Sequence, residues 1–334
     1  MSAAIRAAVL AVDGGNSKTD LALVSRSGAL LALVHGPTMS HQQVDLDTAV
    51  ERLSRLAGEA GRAAGIAATP ELGSFCLAGA DFAADVRILT DAISAAKVAR
   101  RIAVRNDAFA ALRSGAPRGW GIAVVCGAGV NAAGVAPDGR TARLAGIGDL
   151  SGDWGGGYGI GIEALGSAVR ARDGRGPATT LATLVPPALG RRRPLDVARA
   201  IYDGRIAQRR LEELAPIVFD AAAAGDSVAR GIIDRLADEL AVMAIAIARR
   251  LRMARRDVDV VLTGGVFRAT DPAFYERIDE RLHAALPAAR VTRLEDRPVL
   301  GAALIGLDEL GVTRGRAAER RLRGEFASHG RIDA

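Results

Sequence analysis

The chain of 334 residues carries 44 Lys and Arg against 38 Asp and Glu, with 49% hydrophobic and 25% charged residues. That balance excludes a disordered or fibrous chain and fits a soluble globular protein of two domains, since domains average roughly 100–200 residues. Lys18 and Lys97 are the only lysines, so the net charge of +6 comes from scattered arginine, and the sequence points to no nucleic-acid surface.

Cys76 and Cys126 sit in apolar runs with no CxxC partner, which reads as two buried reduced thiols. His35, His41, His283 and His329 lie far apart without metal-ligand spacing, so no zinc site is expected. The stretch ahead of Val9 is too short for an apolar leader, and Leu240–Ala248 is too short to span a bilayer. A cytoplasmic protein without membrane contact is the expectation.

Along the chain, Val9–Val12 and Leu21–Val24 read as strands around Asp13-Gly14-Gly15-Asn16-Ser17-Lys18-Thr19-Asp20. The turn is open to two readings. It is a plain hairpin turn, or it is a phosphate cradle of main-chain N–H groups, hydroxyls from Ser17 and Thr19 and the Lys18 cation, with Asp13 placed to hold a hydrated Mg²⁺. It is neither the Walker loop nor the GxGxxG turn. Ala29–Val34 continues an antiparallel meander, and Gly36–Gln42 is a polar loop that includes Ser40 and His41. A helix over Asp45–Ala64, a strand at Leu72–Ala78, a helix at Ala83–Lys97 and a strand at Arg101–Val104 then imply parallel strands with right-handed crossovers.

Asn106 and Asp107 stand where that last strand stops and a helix begins, a place that serves an N-cap or a side chain exposed at the carboxyl edge of a sheet. Trp120–Val125 and Ala132–Ala136 form a second hairpin around Cys126-Gly127-Ala128-Gly129-Val130-Asn131, repeating the logic of the first. Two such turns facing each other would clamp a polyphosphate. Ala145–Gly159 interleaves Asp149, Asp153, Trp154 and Tyr158 with glycine, which favours a ligand loop over a linker, and a helix follows over Ile160–Arg172. Residues 175–230 hold proline-punctuated helices with no catalytic cluster. A core helix over Gly231–Met253 precedes the strand Val258–Leu262 and a third glycine turn, Thr263-Gly264-Gly265. Helix, strand and helix follow at Pro272–Leu286, Arg290–Leu294 and Val299–Leu310, and the tail from Val312 is arginine-rich, either frayed or a packed helix.

The three glycine turns in this order, with Asn106-Asp107 between the first two, resemble the sugar kinase, Hsp70 and actin ATPase superfamily, and within it the N-acetylglucosamine kinase branch of the BadF/BadG/BcrA/BcrD ATPase family. The resemblance spans about residues 8–310. It implies an α/β fold of two ribonuclease H-like lobes of mixed sheet flanked by helices, with a nucleotide and sugar cleft between a lobe of residues 1–115 and one of 116–310. It implies ATP and Mg²⁺ as cofactors and a small amino sugar as partner, and it allows a homodimer.

Gly14, Gly15, Asn16, Ser17, Lys18, Thr19, Gly127, Ala128, Gly129, Gly264 and Gly265 are then the nucleotide residues, and Asp13 the magnesium residue. Ser40, His41, Asn106, Asp107, Asn131, Gly146, Ile147, Gly148 and Asp153 are the sugar residues. Asp107 matches the family's catalytic carboxylate, which takes the proton of the attacking hydroxyl. Ile147 stands where animal members carry Trp, Ser40-His41 where they carry Asn-His, and Gly152-Asp153-Trp154-Gly155 where they carry Gly-Asp-Glu-Gly, so the departures fall on the acceptor side.

The expected reaction is ATP-dependent phosphorylation of N-acetylglucosamine at its 6-hydroxyl, with glucosamine, N-acetylmuramic acid and glucose as competing acceptors. Two readings from other classes are weighed against it. An ATPase that activates an iron–sulfur dehydratase needs cysteines to hold a cluster between subunits, and Cys76 and Cys126 sit inside predicted strands. A sugar-sensing repressor needs a helix-turn-helix segment, for which the residues before Val9 leave no room.

Overall fold

The apolar runs near the N-terminus build a five-stranded sheet whose alternate residues face two different helical layers. In the computed structural model, which describes residues 6–312 and 317–329, β1 (Val9–Gly14) pairs antiparallel with β2 (Lys18–Val24), and β2 with β3 (Leu30–Pro37). On its other side β1 pairs parallel with β4 (Leu72–Leu77), and β4 with β5 (Arg101–Asn106), giving the order β3-β2-β1-β4-β5. Leu10, Val12, Leu21, Phe75 and Leu77 point into a core with helices Leu46–Ala64 and Ala83–Ala95. Val9, Ala11, Ala22, Val24 and Cys76 point the other way, against helix Pro298–Glu309. Strands buried on both faces read as continuous apolar runs, which is why β1 and β4 are so plain in the sequence.

A second sheet repeats the arrangement. Its strands are β6 (Gly121–Cys126), β7 (Val130–Val135), β8 (Thr141–Arg143), β9 (Asp259–Thr263) and β10 (Arg290–Arg293). Their order is β10-β9-β6-β7-β8, so a hairpin and a third strand lie on one side of the sheet and two later strands on the other, as in the first. The fold is the expected α/β architecture of two five-stranded sheets with helices packed on them.

The chain divides into two units. The first comprises the residues up to Ala123, Gly134–Thr141 and those from Thr292 onward; the second comprises Val124–Ala133 and Ala142–Val291. Residues 175–230 supply helices Leu181–Ala188, Pro194–Tyr202 and Ala215–Ala223 and the 3-10 helix Gln208–Leu214 to the second unit, where Phe219 packs edge-on against the buried Phe274 at 5.3 Å. Within the tail, Ala317–Ser328 is a packed helix with Leu322 and Phe326 in the first unit's core; residues 313–316 and 330–334 lie outside the described residues. Among the described residues no helix is long and apolar enough to cross a membrane.

Candidate functional site

The first unit gathers its polar groups at the carboxyl edge of β1, β4 and β5. Gly14, Leu77 and Asn106 are in register across these strands, so the first glycine turn, the β4 turn and Asp107 emerge side by side. The turn Gly15–Lys18 closes with a 2.9 Å bond from the Gly15 N–H to the Lys18 carbonyl. At Gly14 a Cβ would lie 2.7 Å from the Leu77 Cδ2, so a larger residue there would push that side chain aside. Asn16, Ser17 and Lys18 are exposed, leaving their side chains to solvent or ligand. Thr19 is buried instead, and its hydroxyl accepts from the Met39 N–H at 3.2 Å. Thr38 donates to the Gly15 carbonyl at 2.8 Å, so the loop carrying Ser40 and His41 is tied to the turn. His41 Nδ1 is buried with no hydrogen-bond partner among the described residues, a group that a ligand could satisfy.

Asp107 opens helix Ala108–Gly115. The capping bond is made by its neighbour: Asn106 Oδ1 accepts from the Ala108 N–H at 3.1 Å, and Asp107 makes no side-chain cap. Asn106 Nδ2 in turn donates to Asp81 at 3.0 Å, and the other Asp81 oxygen accepts from Gln42 at 3.2 Å. Asp81 thus joins the His41 loop to the Asp107 segment. It is absent from the residues expected from the sequence, although its place just past β4 was a usable signal.

Electrostatics concentrate negative charge here. Desolvation, followed by the charges of Asp107 and Asp20, pushes the Asp13 carboxyl well above its usual range, and Lys18 pulls it the other way. Asp20, directly across from Asp13, is buried; one oxygen accepts from His35 Nδ1 at 2.6 Å and the other lies 3.5 Å from the Lys18 ammonium.

The second unit forms its site from backbone. Gly127 N–H bonds the Gly129 carbonyl at 2.9 Å, and the helix Gly156–Asp173 meets this turn end-on, with Gly157 N–H on the Gly127 carbonyl at 2.8 Å and Tyr158 N–H on the Ala128 carbonyl at 2.9 Å. The helix begins four residues earlier than the expected Ile160. Gly156, at φ +69°, fits where a Cβ would stand 2.4 Å from the Ala128 carbonyl oxygen, and that close approach is what the glycine run provides. Gly264, at φ +112°, packs the third turn against the Cys126 carbonyl, 2.3 Å from where its Cβ would be.

Gly146, Gly148, Asp149, Asp153, Trp154 and Tyr158 line a cavity of about 430 Å³ together with Ala128, Gly129 and the side of Gln208–Glu212. The volume suits a small-molecule ligand. Asn131 packs against Gly146 rather than lining this cavity, and Ile147 is turned toward solvent. Gln208, Arg209 and Glu212 are wall residues that sequence reasoning missed; an exposed polar helix gives no local sign of a ligand.

An N-acetylmuramic acid/N-acetylglucosamine kinase of Clostridium acetobutylicum is 29% identical over 307 residues, covering 90% of this chain and 98% of its own. An N-acetyl-D-glucosamine kinase of Dictyostelium discoideum is 26% identical over 312 residues, covering 90% and 97%. A solved structure from Chromobacterium violaceum shares the fold with TM-score 0.69 at 24% identity, covering 89% of this chain and 98% of its own, and a ROK hexokinase from Thermus thermophilus does so at 0.55 and 21%, covering 91% and 99%. Residues 10–306 match the BadF/BadG/BcrA/BcrD ATPase family, to which this chain belongs.

Proposed function

We propose that this protein is an ATP-dependent sugar kinase that transfers the γ-phosphoryl group to N-acetylglucosamine at its 6-hydroxyl. The single observation that carries the reading is Asp107, a carboxylate one residue past β5 at the sheet edge shared with the first glycine turn. A sugar hydroxyl is a poor nucleophile. A carboxylate within reach accepts its proton as the new O–P bond forms and the bond to the β–γ bridging oxygen breaks, releasing ADP. Asn106, bonded to Asp81 and to the helix N-terminus, holds the base's backbone in place. Ser40, His41, Gly146, Gly148 and Asp153 are the proposed sugar contacts.

The donor set fits a divalent cation. Asp13 is a hard oxygen ligand beside the carboxylates Asp107 and Asp20, and Mg²⁺ commonly binds through one or two carboxylates and retained water. Asp13 would hold the ion, which when bound neutralises phosphate charge. Lys18, Ser17 and the Gly15 and Asn16 backbone would hold phosphate oxygens, as would Gly127–Gly129, with Gly264 and Gly265 beside adenosine.

The activity named for the Clostridium relative favours N-acetylmuramic acid as a second acceptor. Activation of an iron–sulfur dehydratase is disfavoured by the thiols themselves. Both are buried, Cys76 is raised by burial, and Cys126 is pushed up to about 12, so neither offers a thiolate to a shared cluster. The deciding assay is ADP release with Mg·ATP against N-acetylglucosamine, N-acetylmuramic acid, glucosamine, N-acetylmannosamine and glucose. Acceptor-dependent release with an N-acetylated sugar is expected; release independent of any sugar would overturn the kinase reading.

A further inference from the structure

The C-terminal helix Ala317–Ser328 lies beyond the family match, which ends at residue 306. It is nonetheless built into the first unit: Leu322 and Phe326 are buried, Glu325 accepts from the Leu30 N–H at 2.5 Å, and Gly28 leaves room for the Ala318 carbonyl where a Cβ would stand 2.0 Å away. Its polar face is directed at helix Ala108–Gly115. Arg323 donates to the Ser114 carbonyl at 2.8 Å, to the Arg113 carbonyl at 3.3 Å and to Glu319 at 3.1 Å. Glu319 accepts from both Arg113 Nη atoms, at 2.9 and 3.0 Å, while Asp308 takes Arg113 Nε at 2.9 Å. Arg113 is only 4% exposed, so this cluster is a built interior rather than a surface contact.

The contact has a direction. The last carbonyls of a helix have no partner within the helix and carry its negative end, so a guanidinium set on them is a C-terminal cap. Ala108–Gly115 has only 8 residues, too few to be stable alone, so neighbours define its position. Halfway along, Gly301 of the adjoining helix touches its backbone, 1.8 Å from the Ala110 oxygen to a Cβ there. At the other end, the Asp107 carbonyl accepts from the Ala110 N–H at 3.0 Å, so Asp107 moves as part of the helix.

We propose that Arg323 and Glu319 are positioning residues that fix the placement of Asp107 through this short helix. The inference rests on the reading of Asp107 as the base. A displacement of about 1 Å at a reacting group costs on the order of 10²-fold in rate, so a smaller tilt released at the far end is measurable.

The test is Arg323→Ala in the full chain, with Glu319→Gln as the second variant and Arg323→Lys as the conservative one. Arg323 is 27% exposed and its removal leaves the Arg113 pairs to Glu319 and Asp308 in place, so the fold persists. Arg323→Ala is expected to lower kcat roughly tenfold at unchanged KM for ATP and sugar, with Arg323→Lys intermediate. In an Asp107→Asn background it should cause no further loss. Wild-type kcat in both Arg323→Ala and Glu319→Gln, or a loss matched by the lost folded fraction in circular dichroism, overturns the inference. Full turnover in Asp107→Asn alone would instead overturn the base assignment, so the two failures are separable.

Discussion

In the first unit the functional edge is made of side chains fixed by side chains: Asp20 by His35, Asn106 by Asp81, Asp81 by Gln42. In the second unit the corresponding edge is made of glycine backbone, with Gly156 and Gly264 packed at distances no side chain tolerates and Gly127 and Gly157 joined to it by main-chain hydrogen bonds. On the proposed reading, the first unit supplies charge and proton chemistry and the second supplies shape and main-chain donors. Substitutions should sort accordingly, changing rates in the first unit and stability or affinity in the second.

The comparison is sharpest at Asp107. Asp107→Asn keeps the volume and removes the proposed base, so phosphoryl transfer should fall about 10²–10⁴-fold while ADP binding by calorimetry is retained. Gly264→Ala should show the opposite pattern, a loss of about 3 kcal/mol in urea unfolding from positive φ and backbone overlap combined. If it instead lowered kcat with stability intact, the division between the halves would break. Arg209→Ala, on the cavity wall beside Ala128 and Gly129, should raise KM for ATP about tenfold without moving Tm, since it removes a charged donor and no core contact. Gly148→Ala meets open space at φ +70° and should cost only about 1 kcal/mol, the strain alone.

The smallest effect lies far from the site. Asp238 is held down to about 2, chiefly by its hydrogen bond from Arg277, against desolvation, with Arg281 adding to it. A carboxyl lowered in the folded state stabilises above its unfolded pKa near 4, and that contribution is lost as pH falls toward 2. Asp238→Asn should therefore lower Tm at neutral pH and match the unaltered protein near pH 2.

The strands and glycine turns were legible because both carry local signals: apolar runs buried on two faces, and glycine where backbone must come close. Strand ends were less so. β5 extends to Asn106 and β3 to Pro37 because pairing with β4 and β2 continues past the apolar residues. Gln208 and Glu212 were not legible, since each reaches its site through tertiary packing of an ordinary polar segment, whereas Asp81, just past β4, carried a signal that the sequence reading did not use. The tail helix was half-read: its arginines suggest solvent, whereas Arg323 is spent on buried carbonyls and a glutamate.

The register of β1, β4 and β5 acts as a ruler. Because Gly14, Leu77 and Asn106 are paired in line, adding one residue within β5 would shift Asp107 by about 3.3 Å and turn it to the opposite face. Loop changes at Ser40–His41 or across Gly146–Asp153 leave that measure untouched. If those loops contact the acceptor as proposed, insertions and substitutions in them would change acceptor preference without changing the spacing between the first glycine turn and Asp107.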